Sequence, residues 1–119
     1  MGTLLYYSGA PASAGDNTLI AAPGVGLRIC PVLLVLQNNT TTADTLLLYD
    51  GASSGNKKLM TILAQNQGDG YTGPLQFVCE DGRTRAIKLT ANTALVLNKA
   101  QAVATNVTVW YYTESSFEA

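Results

Sequence analysis

The side chains best suited to acid–base chemistry in this 119-residue sequence are carboxylates, because the chain contains no histidine. Without histidine, a Ser-His-Asp or Cys-His nucleophilic site is excluded, and zinc sites lose their usual nitrogen ligand. Two carboxylates can still cleave a glycosidic bond. The carboxylates considered for such a pair are Asp44, Asp50, Asp69, Glu80 and Asp81. Each lies at a turn or a strand end, where carboxylates commonly bind turn amides, so the sequence predicts solvated turn residues and no enzyme.

Glycine-rich segments and acidic loops do not match a cofactor or metal motif. The Gly-Val-Gly segment at residues 24–26 and the Gly-Asp-Gly segment at residues 68–70 are too short for a nucleotide fingerprint, and no predicted helix follows either. The loop of residues 50–55 lacks the alternating oxygen ligands and the final glutamate of a calcium loop, although carbonyl oxygens could still form a loose calcium site. The sequence therefore predicts no cofactor.

Aromatic residues offer flat surfaces that suit either sugars or proteins. They are Tyr6, Tyr7, Tyr71, Trp110, Tyr111 and Tyr112. Aromatic faces stack on sugar rings, and aromatic side chains also anchor protein cores and interfaces. Trp110 and Tyr112 share one face of a predicted strand whose other face carries Val109 and Tyr111, so we expect one pair in the core and the other against a neighbour. We favour packing in the core and an interface, and glycan recognition is the alternative.

Short strands separated by turns cover most of the sequence. The predicted strands are residues 18–22, 27–37, 45–50, 58–64, 75–79, 84–89, 94–97 and 106–113, with a hairpin turn at Asp81-Gly82. Pro31 predicts a bulge or an edge in its strand, because proline cannot donate a ladder hydrogen bond. No segment has the 3.6-residue period of an amphipathic helix. We therefore predict an all-β fold, an antiparallel β-sandwich or jelly roll of about eight strands.

The length of the chain predicts one domain with its own core. Residues 1–17 contain a short aromatic piece followed by a stretch rich in Gly, Ala, Pro and Ser, which indicates an N-terminal arm. Residues 18–119 are predicted to form the β-sandwich domain. Cys30 and Cys79 both lie among apolar residues, which favours two buried thiols over a disulfide.

Several predicted strands are apolar on both faces. In residues 27–36 the two alternating sets are Leu27, Ile29, Leu33 and Val35 on one face and Cys30, Val32, Leu34 and Leu36 on the other. An antiparallel sheet usually shows one polar face to water, so such strands require cover from another subunit, which we favour, or from a loop or arm of the same chain. The residues predicted to form a protein interface are Tyr6, Tyr7, Leu34, Leu36, Leu47, Tyr49, Trp110 and Tyr112.

Charge is scarce in this sequence. Charged residues make up 13% of the chain beside 47% hydrophobic residues, and the net charge is −1. A typical soluble domain has about 25% charged residues, so part of the surface is expected to be covered. There is no basic stripe for a phosphate backbone, no secretory leader pattern and no apolar run long enough to span a membrane. We therefore predict a protein made in the cytoplasm that binds neither nucleic acid nor a membrane.

Three segments resemble small virion proteins of tailed bacteriophages. They are residues 41–51 (TTADTLLLYDG), 89–95 (LTANTAL) and 105–112 (TNVTVWYY). In that family a strand ending in a Tyr-Asp-Gly turn, an Asn-containing loop and an aromatic last strand belong to a compact β-sandwich that forms trimers on the virion. The resemblance implies a non-enzymatic capsid decoration or cement protein, located in the virion, whose homotrimer bridges major capsid proteins and stabilises the head.

The position on the virion and the mode of contact have alternatives. The runner-up is a neck, tail or fibre-attachment structural protein of the same virion, with the same fold and a different symmetry. A host-glycan-binding module that uses the aromatic residues is a different class of function. For the decoration role, the arm of residues 1–17 is the candidate contact with the capsid, with Tyr6 and Tyr7 as its anchors.

Overall fold

Eight strands in two antiparallel sheets form the described part of this protein. The computed structural model describes residues 3–38, 42–64, 72–77 and 86–117, with the side chains of residues 63, 64 and 72–74 left aside. The strands are β1 (Leu5–Gly9), β2 (Gly15–Ile20), β3 (Leu27–Asn38), β4 (Asp44–Asp50), β5 (Lys58–Ala64), β6 (Thr72–Gln76), β7 (Leu95–Lys99) and β8 (Thr105–Ser115). The predicted all-β sandwich is confirmed.

The order of the strands is that of a jelly roll. Sheet 1 has the order β1-β8-β3-β6, and sheet 2 has the order β2-β7-β4-β5. The first strand thus pairs with the eighth, the second with the seventh, the third with the sixth and the fourth with the fifth, all antiparallel. This nesting is produced when one long hairpin winds over itself into two sheets.

The core lies between the two sheets and is built from alternate residues of the strands. Sheet 1 contributes Leu34 and Leu36 from β3 and Val109 from β8, and sheet 2 contributes Leu48 from β4 and Leu97 from β7, all almost completely buried. Side chains on a strand alternate between faces, so the neighbours of these residues point away from the core. Burial of each such Leu or Val contributes about 1.5–3 kcal/mol to the free energy of unfolding.

Pro31 lies at a β-bulge, which is one of the two positions, a bulge or an edge, that the sequence predicted for it. The pairing of β3 with β8 shifts register between Pro31 and Leu33, and β3 lies between β8 and β6 rather than at an edge. The shift changes which alternate residues face inward: Ile29 before it and Leu34 after it both belong to the core. The prediction that Cys30 and Leu34 share one face of the strand is therefore wrong, because the extra residue of a bulge reverses the alternation.

The N-terminal segment pairs into both sheets. Strand β1 runs alongside β8, and β2 begins at Gly15, which pairs with Lys99 of β7. Residues 5–9 and 15–17 thus lie at two edges of the sandwich and do not form the predicted arm. The aromatic residues Tyr6 and Tyr7 suit the pleated, half-buried surface of a strand, which outweighs the loop-like composition around them.

Several predictions fall partly outside the described residues. The Asp81-Gly82 turn, Cys79, and residues 84 and 85 of one predicted strand lie outside them. Residues 86–89 are described and are not a strand, although the Leu89 backbone N–H donates to the Ile29 carbonyl at 2.9 Å. Strand β6 ends at Gln76, before most of the predicted strand at 75–79. Within the described residues, no helix is long and apolar enough to cross a membrane.

Candidate interaction face

Strand β8 places its aromatic residues on the side of sheet 1 that faces away from the core. Val107 and Val109 point into the core, so Trp110 and Tyr112 point outward, as the predicted division of this strand requires. Trp110 pairs with Tyr6 of β1 on one side and with Leu33 of β3 on the other. Because paired residues share a face, these side chains form a continuous row.

We call this surface the outer aromatic face. Its residues are Tyr6, Ser8, Leu33, Val35, Thr108, Trp110 and Tyr112. Tyr6 is 68% exposed, whereas Trp110, Tyr112 and Leu33 are half-buried. The hydroxyl groups of Ser8 and Thr108 lie 3.2 Å apart beside the rings. The face therefore offers apolar rings and hydroxyl groups side by side, a combination that suits a protein surface or a sugar.

A small charged cluster borders the outer aromatic face. The Arg28 guanidinium donates from Nε to Glu114 Oε2 at 2.8 Å and from a second nitrogen to the same oxygen, and Lys88 Nζ lies 3.6 Å from it. Partial burial acts to raise the pKa of Glu114, but the hydrogen bonds from Arg28 and Cys30 and the charges of Arg28 and Lys88 outweigh it and hold that pKa below its ordinary value.

Cys30 is a buried, free thiol on the same side of sheet 1. Burial raises its pKa to about 11, and the nearby Glu114 charge acts in the same direction. A thiol with so high a pKa is almost entirely protonated near neutral pH and is a poor nucleophile. The predicted buried thiol is confirmed for Cys30, while Cys79 lies outside the described residues.

The structure brings together only part of the predicted interface. Tyr6, Trp110 and Tyr112 lie on the outer aromatic face, whereas Tyr7 packs against the core from the other face of β1. Leu34 and Leu36 were predicted to meet another subunit, and this is wrong. Both lie between the sheets of their own chain, because the bulge at Pro31 turns their side of β3 inward.

The other two predicted interface residues, Leu47 and Tyr49, belong to the outer side of sheet 2. Leu47 is half-buried and pairs with Asn98, and Tyr49 is buried and pairs with Val96. Neither Tyr49 nor Val96 belongs to the cluster between the sheets. These two residues are therefore buried on the outer side of sheet 2, and Tyr49 is not available to another subunit in this structure.

A loop of the same chain lies over the outer side of sheet 2. The Ser53 backbone N–H donates to Asp16 Oδ2 at 3.0 Å, and Asn98 Nδ2 donates to Asp16 Oδ1 at 2.7 Å. Asp16 and Asn98 are paired residues of β2 and β7 whose side chains point away from the core. The loop that contains the 3-10 turn Ser53–Gly55 is thus attached to this side. The sequence allowed such a side to be covered either by another subunit, which we favoured, or by a loop of the same chain. On sheet 2 a loop of the same chain is present.

The described carboxylates that the sequence singled out, Asp44 and Asp50, both accept hydrogen bonds from other parts of the chain. Asp50 accepts hydrogen bonds from the Thr90 backbone N–H at 3.0 Å and from the Thr90 hydroxyl at 2.8 Å, which ties the end of β4 to the loop that contains Thr90. Asp69, Glu80 and Asp81 lie outside the described residues. Among residues 3–38, 42–64, 72–77 and 86–117, no group of three His, Cys, Asp or Glu side chains is placed to hold a metal ion.

Asp44 was predicted to be a solvated turn carboxylate, and the structure instead buries it completely. Its Oδ2 accepts a hydrogen bond from Lys99 Nζ at 2.7 Å, and Lys99 also donates to the Thr105 hydroxyl at 2.6 Å. The other carboxylate oxygen accepts from the backbone N–H groups of Ala100 and Gln101, both at 3.0 Å. The ion pair joins sheet 2 to β8 of sheet 1 across the end of the core.

Sequence reasoning missed this ion pair, although one signal for it was present. Leu95, Leu97 and Lys99 occupy alternate positions of β7, so a strand that places both leucines in the core places the lysine there as well. A buried ammonium requires a charged or polar partner. The identity of that partner depends on pairing between β4 and β7, which are separated by about half the chain.

Comparisons of this chain with protein-family models, with curated proteins and with solved structures find no significant match. The functional argument therefore depends on the surfaces of the molecule itself and on the resemblance noted in three segments of its sequence.

Proposed function

We propose that this protein is a non-enzymatic structural subunit of a bacteriophage virion, a decoration or cement protein that forms homotrimers and bridges major capsid proteins. The observation that carries the proposal is the outer aromatic face. Its rings lie in a row on the outer side of sheet 1, with Tyr6 68% exposed, whereas on the outer side of sheet 2 a loop of the same chain is hydrogen-bonded to Asp16. Aromatic residues of this kind commonly anchor protein interfaces.

The fold and the composition support the same proposal. Jelly rolls occur in viral capsid domains, although a fold alone does not establish a function. Charged residues are scarce in this chain, as expected for a subunit with part of its surface covered in an assembly. Because a cement protein binds only the assembled shell, its binding stabilises that state by mass action.

The test measures binding of the protein to capsids that lack it. Trp110→Ala should weaken binding by at least about 2 kcal/mol, roughly 30-fold, since it removes a central anchor from the face. Val25→Ala is the control, because Val25 is 88% exposed on a turn outside the face. Equal binding by the two variants, each shown to be folded, contradicts a role for this face.

Particle stability gives an independent measurement. Capsids without the protein should rupture at lower temperature or lower osmotic stress than complete capsids, because the bridging contacts are absent. The number of copies per particle separates positions on the virion: hundreds of copies indicate the head, whereas a dozen or so indicate the neck or tail. Equal rupture thresholds for complete and incomplete capsids contradict the cement role.

Glycan binding is the second candidate function, and one observation favours it. The hydroxyl groups of Ser8 and Thr108 lie next to Tyr6 and Trp110, so a sugar ring stacked on the aromatics has hydrogen-bonding partners within reach. A glycan array should then show binding by the wild-type protein that is lost in Tyr6→Ala. An array without binding contradicts this candidate and leaves the structural proposal unaffected.

A further inference from the structure

The two sheets have four edge strands, which differ in how they are protected against pairing. Among the described strands, β1 and β6 are the edges of sheet 1, and β2 and β5 are the edges of sheet 2. An edge strand presents unpaired backbone N–H and C=O groups to any other strand that approaches. Natural proteins protect such edges with charged residues, with proline or with a covering segment.

Three of the four edge strands carry a protecting residue. Strand β2 has the exposed carboxylate of Asp16, and β5 begins at the exposed Lys58, which follows the exposed Lys57. Strand β6 contains Pro74, which has no backbone N–H to donate. A second strand that approached any of these edges would have to bury a charge or leave a hydrogen bond unmade.

Strand β1 carries no protecting residue. Residues 3–10 contain neither a charged residue nor a proline, and among the described residues β1 is paired on one side only, with β8. Three consecutive large apolar residues, one just before β1 and two at its start, are exposed: Leu4 by 46%, Leu5 by 39% and Tyr6 by 68%. An exposed apolar run on an open strand edge favours association unless a function accounts for it.

We propose that β1 is an association edge, at which two copies of this chain pair through antiparallel β1 strands across a two-fold axis. A second copy fits because it brings the same unprotected edge, with no like charges to repel and no missing N–H. An antiparallel arrangement about a two-fold axis is self-complementary, since each strand offers the other the same donors and acceptors.

This pairing would join sheet 1 of the two copies into one continuous sheet of eight strands. A two-fold axis perpendicular to the joined sheet keeps the outer faces of both copies on the same side. Tyr6 and Trp110 of both copies would therefore form one longer aromatic row. The inference does not depend on a role in the virion. A two-fold contact is distinct from a three-fold contact, so in a trimeric protein it would link one trimer to the next.

The experiment compares molar mass by sedimentation velocity or light scattering over a range of protein concentrations. Leu5→Lys places a charge on the β1 edge, and Val25→Lys places the same charge on an exposed turn. The wild-type protein and Val25→Lys should reach twice the molar mass of Leu5→Lys. Equal masses for all three proteins at every concentration overturn the inference. If that common mass is the mass of a trimer, pairing through β1 is overturned but the proposed homotrimer is not.

Hydrogen exchange of the unmodified protein gives a second measurement that does not depend on the folding of a variant. The backbone amides of residues 5–9 that point away from β8 should exchange at least about tenfold more slowly at high than at low protein concentration, since pairing protects them. Exchange rates at these residues that do not change with concentration overturn the inference.

Discussion

The Lys99–Asp44 ion pair places two charged side chains in the interior of the protein. Both side chains are completely excluded from solvent, and the carboxylate accepts two backbone N–H groups in addition to the ammonium. Each charge is acceptable in this interior only because the other is present and the remaining hydrogen bonds are made. The pair therefore contributes to stability in a way that depends on both members together.

Replacement of one member of this pair should be more harmful than replacement of both. Lys99→Met leaves the Asp44 carboxylate buried without its counter-charge, and we expect a loss of about 3–5 kcal/mol in the free energy of unfolding. The double variant Lys99→Met with Asp44→Asn removes both charges and keeps an acceptor for the Ala100 and Gln101 amides. Its loss should be smaller.

Urea unfolding followed by tryptophan fluorescence measures these free energies, because Trp110 is the single tryptophan of the chain. A Lys99→Met protein that unfolds within about 1 kcal/mol of the wild type contradicts the predicted dependence of Asp44 on its partner.

At the scale of the element, the turn before β3 depends on a glycine. Gly26 has a φ of +84°, in the left-handed region that disfavours residues with a Cβ atom. A Cβ atom added there would lie 2.7 Å from the ring of Phe117, and the Ser116 backbone N–H donates to the Gly26 carbonyl at 2.9 Å. This turn thus connects the start of β3 to the end of β8.

Gly26→Ala should destabilise the protein by at least about 1–2 kcal/mol, since backbone strain and the contact with Phe117 act together. Gly24→Ala isolates the backbone effect, because Gly24 also has a positive φ of +114° but open space around it. Gly55→Ala is the neutral control, with open space and no positive φ.

Thermal unfolding of the three glycine variants should rank Gly26→Ala as the least stable and Gly55→Ala as the most stable. A Gly26→Ala protein as stable as Gly55→Ala contradicts the structure of this turn. Equal losses in Gly26→Ala and Gly24→Ala show that the Phe117 ring moves aside at little cost.

At the scale of the whole molecule, the jelly roll ties its surfaces together through pairs of residues far apart in the sequence. Asp16 of β2 binds both Asn98 of β7 and the loop at Ser53, while Glu114 of β8 binds Arg28 of β3. Hydrogen bonds from Asn98 and then from Ser53 lower the pKa of Asp16, and the pKa of Glu114 is also lowered. Both carboxylates therefore favour folding in their ionised form.

The stability of the protein should fall in acid partly because of these two carboxylates. Their ordinary pKa values are 3.8 and 4.5, so as the pH falls past these values the unfolded chain binds protons first. Their contribution is present above these pH values and is lost as the pH falls through the lowered pKa values of the folded protein.

The double variant Asp16→Asn with Glu114→Gln tests this pH dependence. Its urea midpoint should decline less steeply below pH 4.5 than that of the wild type. Parallel declines contradict a stabilising role for the two ionised carboxylates. Since Asp16 is exposed, we expect most of the difference to come from Glu114.

The sequence by itself determined the class of fold and most of the strands. Residues 58–64 were predicted and found as β5, and the predicted strand at 27–37 corresponds closely to β3, because alternation and turn residues are local properties. The proline that cannot donate a hydrogen bond predicted a bulge or an edge at Pro31, and the pairing of β3 with β8 shows the bulge. The same alternation placed Trp110 and Tyr112 together on one face of β8, opposite Val109 and Tyr111, without deciding which face is internal.

Only the tertiary structure decided which of two apolar faces is internal. Leu34 and Leu36 face the core because the bulge reverses the alternation, and Tyr49 is buried on the side of sheet 2 where the loop with Ser53 is attached. The partner of Lys99 was equally undetermined by the sequence. These outcomes depend on the register between strands distant along the chain, and a shift of one residue in register moves every side chain to the opposite face.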